Sequence, residues 1–294
     1  MRSTPALEGA TDSGPVSMPA GARSAGVAAR WYRRLGRLLM LAGALTLVWV
    51  VIVWKWEDPF TAVYTLYEQH ELSASYDDRA ASFLKEHPGV AIATAPVGPN
   101  LRAHTGAAAT TALPSGKPSA AAKAARNRAI IAAEKLEIRK DAATYRADSQ
   151  EGQPLGRITV HRLGLSMIFL NGTDESSLAK GPGRDVETYM PGQNRLVYIA
   201  GHRTTFLAPF SHIEKLRRGD KIKLELPYAT FVYEVTRHII VTSTDLAVLR
   251  SGSKEMLALQ ACHPRFFATH RYIVYARPVE VIPRIEPGLP YRLT

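Results

Sequence analysis

The feature that most limits how this chain can fold is a run of 17 residues, Leu38 to Trp54, with no charged side chain and a single hydroxyl. As a helix it would be about 25 Å long. Leu35 and Gly36 can lengthen it toward the roughly 30 Å of a bilayer's hydrocarbon core, because Arg37 can reach back to the headgroups. Its apolar side chains cover every face, whereas a surface helix of a soluble domain keeps a polar side. Trp31 and Tyr32 flank one end, and Trp54 and Trp56 the other, as interfacial side chains do. The segment Lys55-Trp56-Glu57-Asp58 that follows has no small-x-small cleavage pattern, so the run reads as a retained anchor and not as a removed signal peptide. Arg30, Arg33, Arg34 and Arg37 precede it. The positive-inside rule then predicts a cytoplasmic tail over 1–34, a transmembrane anchor over 35–56 and an extracellular remainder.

A formal charge of +11 over 294 residues invites a nucleic-acid reading. Its distribution argues against one. An excess of +4 lies in residues 1–37, where it orients the anchor, and +6 lies in residues 151–294. No run of five like charges occurs, nor a basic stretch interleaved with aromatics of the kind that stacks bases. Membrane lipid and an anionic wall polymer are the expected contacts, and nucleic acid is not.

Residues 57–150 read as an extracellular helical spacer with an Ala/Pro-rich linker. Pro59 to Pro88 has loose helical spacing of Leu66, Leu72, Ala80, Phe83 and Leu84, and Pro88-Gly89 ends it. Residues 89–120 are rich in Ala, Pro, Gly, Ser and Thr, which suits a flexible linker. Residues 121–147 are strong helix formers with a thin apolar stripe, read as a solvated spacer or a helix packed on a partner.

From residue 151 to 294 the texture changes to alternation. Short apolar runs begin at Ile158, Met167, Leu196, Lys221, Thr230, His238, Leu257 and Tyr272, with Gly, Pro and Asn turns between several of them. One helix is expected from Ala208 to Arg218, with Phe210, Ile213 and Leu216 on one face and Gly219 as its stop. About eight short strands predict an all-β-dominated domain, either a small closed barrel or a sandwich.

Cys262 is the chain's one cysteine. It excludes an intrachain disulfide and a multi-cysteine zinc site. It ends the strand-like run Leu257–Cys262, where a strand gives way to a loop and reactive groups are commonly displayed. A cysteine nucleophile needs a thiolate and a base or acid partner. His202 also follows a strand, through Gly201, while His161, His212, His238, His263 and His270 compete. Neighbouring residues in an extended chain point to opposite faces, which counts against His263. For the charge that develops on an acyl oxygen, Arg271 at the start of the last strand and Arg265 in the preceding loop are the candidates. Asp174-Glu175 is a pair, not a coordination shell, and no metal or cofactor is expected.

Two stretches, MPGQNRLVYIAGHRTTFLAPFSHIEKLRRGD and LALQACHPRFFATHRYIVYARP, resemble sortases, the membrane-anchored cysteine transpeptidases of Gram-positive bacteria, over about residues 154–283. The GHRTT and CHPRF segments are most similar to class E sortases of actinobacteria. The resemblance implies an eight-stranded sortase-type β-barrel with short helices. It implies that Cys262 attacks the Thr–Gly bond of an LPxTG- or LAxTG-like sorting signal, that His202 protonates the leaving amine, and that Arg271 holds the oxyanion. Ala261, Thr204 and Tyr189 are implied as substrate-binding. The implied partners are surface proteins bearing sorting signals and an accepting amine on a peptidoglycan precursor or a pilin. Two departures stand out. The family's TLxTC reads Ala258-Leu259-Gln260-Ala261-Cys262, and its GPGHY reads Gly181-Pro182-Gly183-Arg184-Asp185. The competing readings are a tethered binding module with a degenerate site and a wall-crosslinking L,D-transpeptidase, whose SxGCxR-type segment is absent.

Overall fold

The computed structural model describes residues 22–56, 59–88, 119–284 and 291–292. Most of the expected cytoplasmic tail and most of the expected linker lie outside the described residues. The chain divides into two units, Met1–Lys55 and Trp56–Thr294.

The first unit is helix α1 (Ala22–Trp56). Arg30 to Ile52 is 23 residues long and apolar enough to cross a membrane, and the large side chains from Trp31 to Val51 are exposed.

In the second unit, helices α2 (Pro59–Glu86) and α3 (Ala120–Ala147) precede nine strands. These are β1 (Pro154–Val160), β2 (Leu165–Asn171), β3 (Gly183–Arg184), β4 (Leu196–Ala200), β5 (Lys221–Glu225), β6 (Ala229–Thr242), β7 (Met256–His263), β8 (His270–Pro283) and β9 (Tyr291–Arg292). A single-turn helix, α4 (Glu175–Lys180), links β2 to β3. The strands run β6-β5-β1-β2-β3-β4-β7-β8, and β6 also pairs with β8. That last pairing closes eight strands into a barrel and decides against the sandwich, and the short β9 continues along β8 beyond β7. The ring is mixed: β2–β3 and β4–β7 are parallel.

Alternation sorts the side chains into two faces. Ile158, Phe169, Val197, Ile199, Leu224, Phe231, Leu257, Leu259 and Val274 fill the interior. Leu196, Tyr198, Ala258, Ile273 and Tyr275 form a separate cluster on the outer face of β4, β7 and β8.

The local expectations differ from the fold in three places. The runs at Thr230 and His238 belong to one strand, β6. A register shift between Val235 and Arg237 flips its alternation midway, so Val235 points inward while Ile239 and Val241 pack outside. The helix expected at Ala208–Arg218 is only a 3₁₀ turn, Ile213–Lys215, after a left-handed run at Phe206, Leu207 and Ala208. Phe210, Ile213 and Leu216 are still all buried. Their spacing of three matches successive tight turns as well as it matches an α-helix. Finally, the solvated-spacer reading of 121–147 fits only the first part of α3. Ile138, Ala142 and Tyr145 are buried with Phe83 of α2 in the barrel's main core.

Helix α2 covers β2 with a stripe of Thr65, Leu72, Tyr76, Ala80 and Phe83, all buried, at the three-to-four spacing of one helix face. Leu66, expected on that stripe, is exposed. Gln69 acts as a substitute strand neighbour: its amide nitrogen donates to Ile168 O at 3.0 Å and its oxygen accepts from Ile168 N at 2.7 Å. This satisfies backbone groups on β2, which pairs with β3 through two residues only.

Candidate active site

The site is set by strand register. β7 and β8 are antiparallel, and Cys262 lies directly opposite Arg271. Opposite residues in such a pair project from the same face. Both alternate in phase with Ala258 and Tyr275, so they stand on the outer face of the barrel, at the end of the sheet. β4 runs parallel to β7 with Ala200 beside Gln260, and Gly201 N donates to Gln260 O at 3.0 Å. β4 ends at Ala200, and His202 follows two residues later in the loop. Gly201 is required there because a Cβ would lie 2.7 Å from the Phe210 ring.

His202 is held by packing. The Phe206 ring lies 5.0 Å away, centroid to centroid, and the His202 Nε2 is covered and meets no hydrogen-bond partner among the described residues. Burial pushes its pKa below the ordinary 6.5, while Glu175 pulls the other way. Phe206 is in turn fixed by α2. Its backbone N–H donates to Thr61 Oγ1 at 3.0 Å, and its ring meets Tyr64 edge-on at 6.5 Å.

Arg203 is a residue that the sequence reading quoted within GHRTT but gave no role. Its side chain is 6 % exposed. It donates to the Cys262 carbonyl at 3.0 Å, contacts His263 Nδ1 at 3.1 Å and pairs with Glu214 at 2.8 Å. It thereby clips the end of β4 to the end of β7 and fixes the backbone that carries the thiol. The signal in the sequence is an arginine directly after the strand-end histidine.

Arg271 donates to Ala268 O at 2.8 Å and His270 O at 3.0 Å, which anchors it to the β7–β8 loop. Arg265 lies within that loop, off the strand register, over the Phe266 ring. The other histidines fall elsewhere. His263 takes the opposite phase to Cys262 and meets Arg203, His238 stacks on Tyr272, and His270 contacts Thr269. His212 lies in a turn beside Glu214, and His161 sits in the turn after β1.

The expected substrate-binding set does not assemble. Thr204 is half-buried in the loop after His202. Ala261 is fully buried in the interior core, on the face of β7 away from Cys262. Tyr189 bonds to Leu196 at the opposite end of β4 and lies between Arg146 and Arg195. Arg184, at the position of the family's GPGHY histidine, is also not on the outer face. It is buried and donates to the carbonyl of Asp185 at 3.1 Å, and burial lowers its pKa to about 10. No group of three or more His, Cys, Asp or Glu that could hold a metal occurs among the described residues.

A thiol on the same rung as an arginine, on the strand beside the one that leads to a histidine, brings in the group types that acyl transfer uses. Comparison with known proteins agrees. The family description "Sortase domain" matches residues 158–279, which include all three residues. Sortase D of Bacillus subtilis is 31% identical over 144 residues, 48% of this chain and 70% of that protein. Sortase SrtE1 of Streptomyces coelicolor is 38% identical over 95 residues, 29% of this chain and 27% of that protein. The solved structure of sortase E from Streptomyces avermitilis is 30% identical and covers 46% of this chain and 93% of its own, with a TM-score of 0.41. A domain match across the strands that bear the site, joined to a relative spanned over 70% of its length, shows that this chain belongs to the sortase family of cysteine transpeptidases.

Proposed function

We propose that the protein is a membrane-anchored sortase that cleaves an LPxTG- or LAxTG-like C-terminal sorting signal between Thr and Gly and transfers the surface protein to an amine of the cell wall or of a pilin. One observation supports this: Cys262 and Arg271 occupy the same rung of β7–β8, and β4, which leads to His202, runs parallel to β7. The Cys262 thiolate attacks the threonine carbonyl carbon while Arg271 holds the oxygen as it gains charge. The C–N bond breaks as the His202 imidazolium gives its proton to the departing glycine amine. An incoming amine attacks the resulting thioester, gives a proton to the neutral His202, forms the new amide and returns the thiolate. The apolar helix Arg30–Ile52 anchors the enzyme. The arginine cluster holds its N-terminal side in the cytoplasm, which places the barrel outside.

The alanines at 258 and 261 are compatible with an active site. Both side chains are buried in apolar clusters, so neither leaves a polar gap on the face that bears the thiol. The test is a Cys262→Ala variant as the sole sortase of a cell. Surface proteins with C-terminal sorting signals should then stay in the membrane and medium, and covalent wall linkage at the wild-type level would refute the reading.

A further inference from the structure

A cleft of about 420 Å³ lies on the same outer face as Cys262, at the far end of β7. Its floor includes Leu196, Met256 and Tyr275, and Arg237, Arg250 and Lys254 stand around it. The Arg237 guanidinium lies over the Tyr275 ring at 4.3 Å, which fixes one of the three charges in place. Among the described residues no ion pair involves any of the three, whereas Arg203, Lys221, Lys223 and Arg277 each hold a carboxylate. The Asp245 carboxylate, which accepts from Ala247 N at 2.9 Å, lies near this lining, and three cations against it leave a positive excess that favours an anionic occupant.

The sheet relates this cleft to the thiol. Met256, Ala258, Gln260 and Cys262 share the outer face of β7, opposite Tyr275, Ile273 and Arg271 on β8. An extended peptide advances about 3.4 Å per residue. A chain lying along β7 with its reacting carbonyl at Cys262 therefore reaches the cleft about five to seven residues away. The sheet continues in that direction only. Past Cys262 it ends within one residue, at His263. The half of the substrate that stays bound through the thioester is the half that needs this floor, and the leaving half departs over the loop.

We propose that Arg237, Arg250 and Lys254 form a subsite for acidic side chains of the substrate, five to seven residues before the bond that Cys262 cleaves. The inference rests on the sorting-signal reading above, and it adds a charge preference upstream of the signal.

The test uses the full-length protein in detergent micelles and three labelled peptides. Each carries the same Leu-Pro-any-Thr-Gly core, with three Asp, three Ala or three Lys at the upstream positions. Cleavage is followed with the wild type and binding with Cys262→Ala. The Asp peptide should show a KM about three- to tenfold below the Ala peptide, at equal kcat, and a correspondingly tighter Kd. The Lys peptide should be the weakest. The Asp advantage should disappear at 1 M salt and in an Arg250→Gln/Lys254→Gln variant, whose two side chains are exposed in the β6–β7 loop. Cleavage of all three peptides with equal KM overturns the subsite and leaves the sorting-signal reading standing. Tighter binding of the Asp peptide with no cleavage of any peptide sinks the sorting-signal reading and supports the subsite. A gain from Asp residues placed after the Thr–Gly bond, and not before it, overturns the proposed direction.

Discussion

Cys262 and Arg271 share a rung because of strand pairing, not sequence proximity, and His202 follows the strand that runs parallel to β7. At this scale the weakest-held member is the histidine, which lies under Phe206 and is short of hydrogen bonds. Burial disfavours the imidazolium and lowers its pKa. Replacing Phe206 with Ala lets water reach the ring, so the His202 titration midpoint should move up toward 6.5. The limb of the activity profile that follows this midpoint should move up with it. Histidine ring resonances followed by NMR against pH measure the first effect, and an unmoved midpoint would show that Phe206 does not set it. The strand ends that bear Cys262 and Arg271, and the one that leads to His202, were legible. Ala261 could have been excluded by the same alternation that set His263 aside, because the residue next to the thiol in a strand points the other way. Tyr189 was out of reach of such reasoning, since only the pairing of its loop with Leu196 reveals that it sits at the wrong end of β4.

At the level of elements, loops that sequence patterns treat as separate are tied together by single side chains. Glu255, just before β7, accepts from Gly192 N at 2.9 Å and Asn194 N at 3.1 Å through one oxygen, and from the Tyr233 hydroxyl at 2.7 Å through the other. It joins the β3–β4 loop, β6 and the start of β7. Truncation to Ala leaves three donors without their acceptor and should lower stability by about 2–4 kcal/mol. Urea unfolding followed by circular dichroism measures it, and a loss below about 0.5 kcal/mol would mean that water replaces the carboxylate. Strand positions were readable from alternation, and β4 begins at Leu196, where its run was expected to begin. The merger of two runs into β6 was not, because a bulge breaks the period that announces a strand. The false helix at Ala208–Arg218 has the converse cause: three buried residues at intervals of three look helical whether or not the backbone is.

For the molecule as a whole, the division falls at Lys55–Trp56. A chain starting at Trp56 should fold without detergent and keep the thermal midpoint of the barrel to within about 5 °C. Starting instead at Gly89 removes α2, and with it Leu72, Tyr76, Ala80 and Phe83 from the surface they cover. At about 1.5–3 kcal/mol for each large apolar side chain, most of a typical domain's margin of roughly 5–15 kcal/mol is then at risk. Equal thermal midpoints for the two truncations would show that α2 is dispensable. The closure of the ring has a consequence for how such a protein is made. β8 pairs with both β7 and β6, and it also bears Arg271. During synthesis the thiol therefore emerges before its arginine, and the two come together only when the last long strand docks. The strand that seals the ring is thus also the one that sets an arginine opposite the thiol.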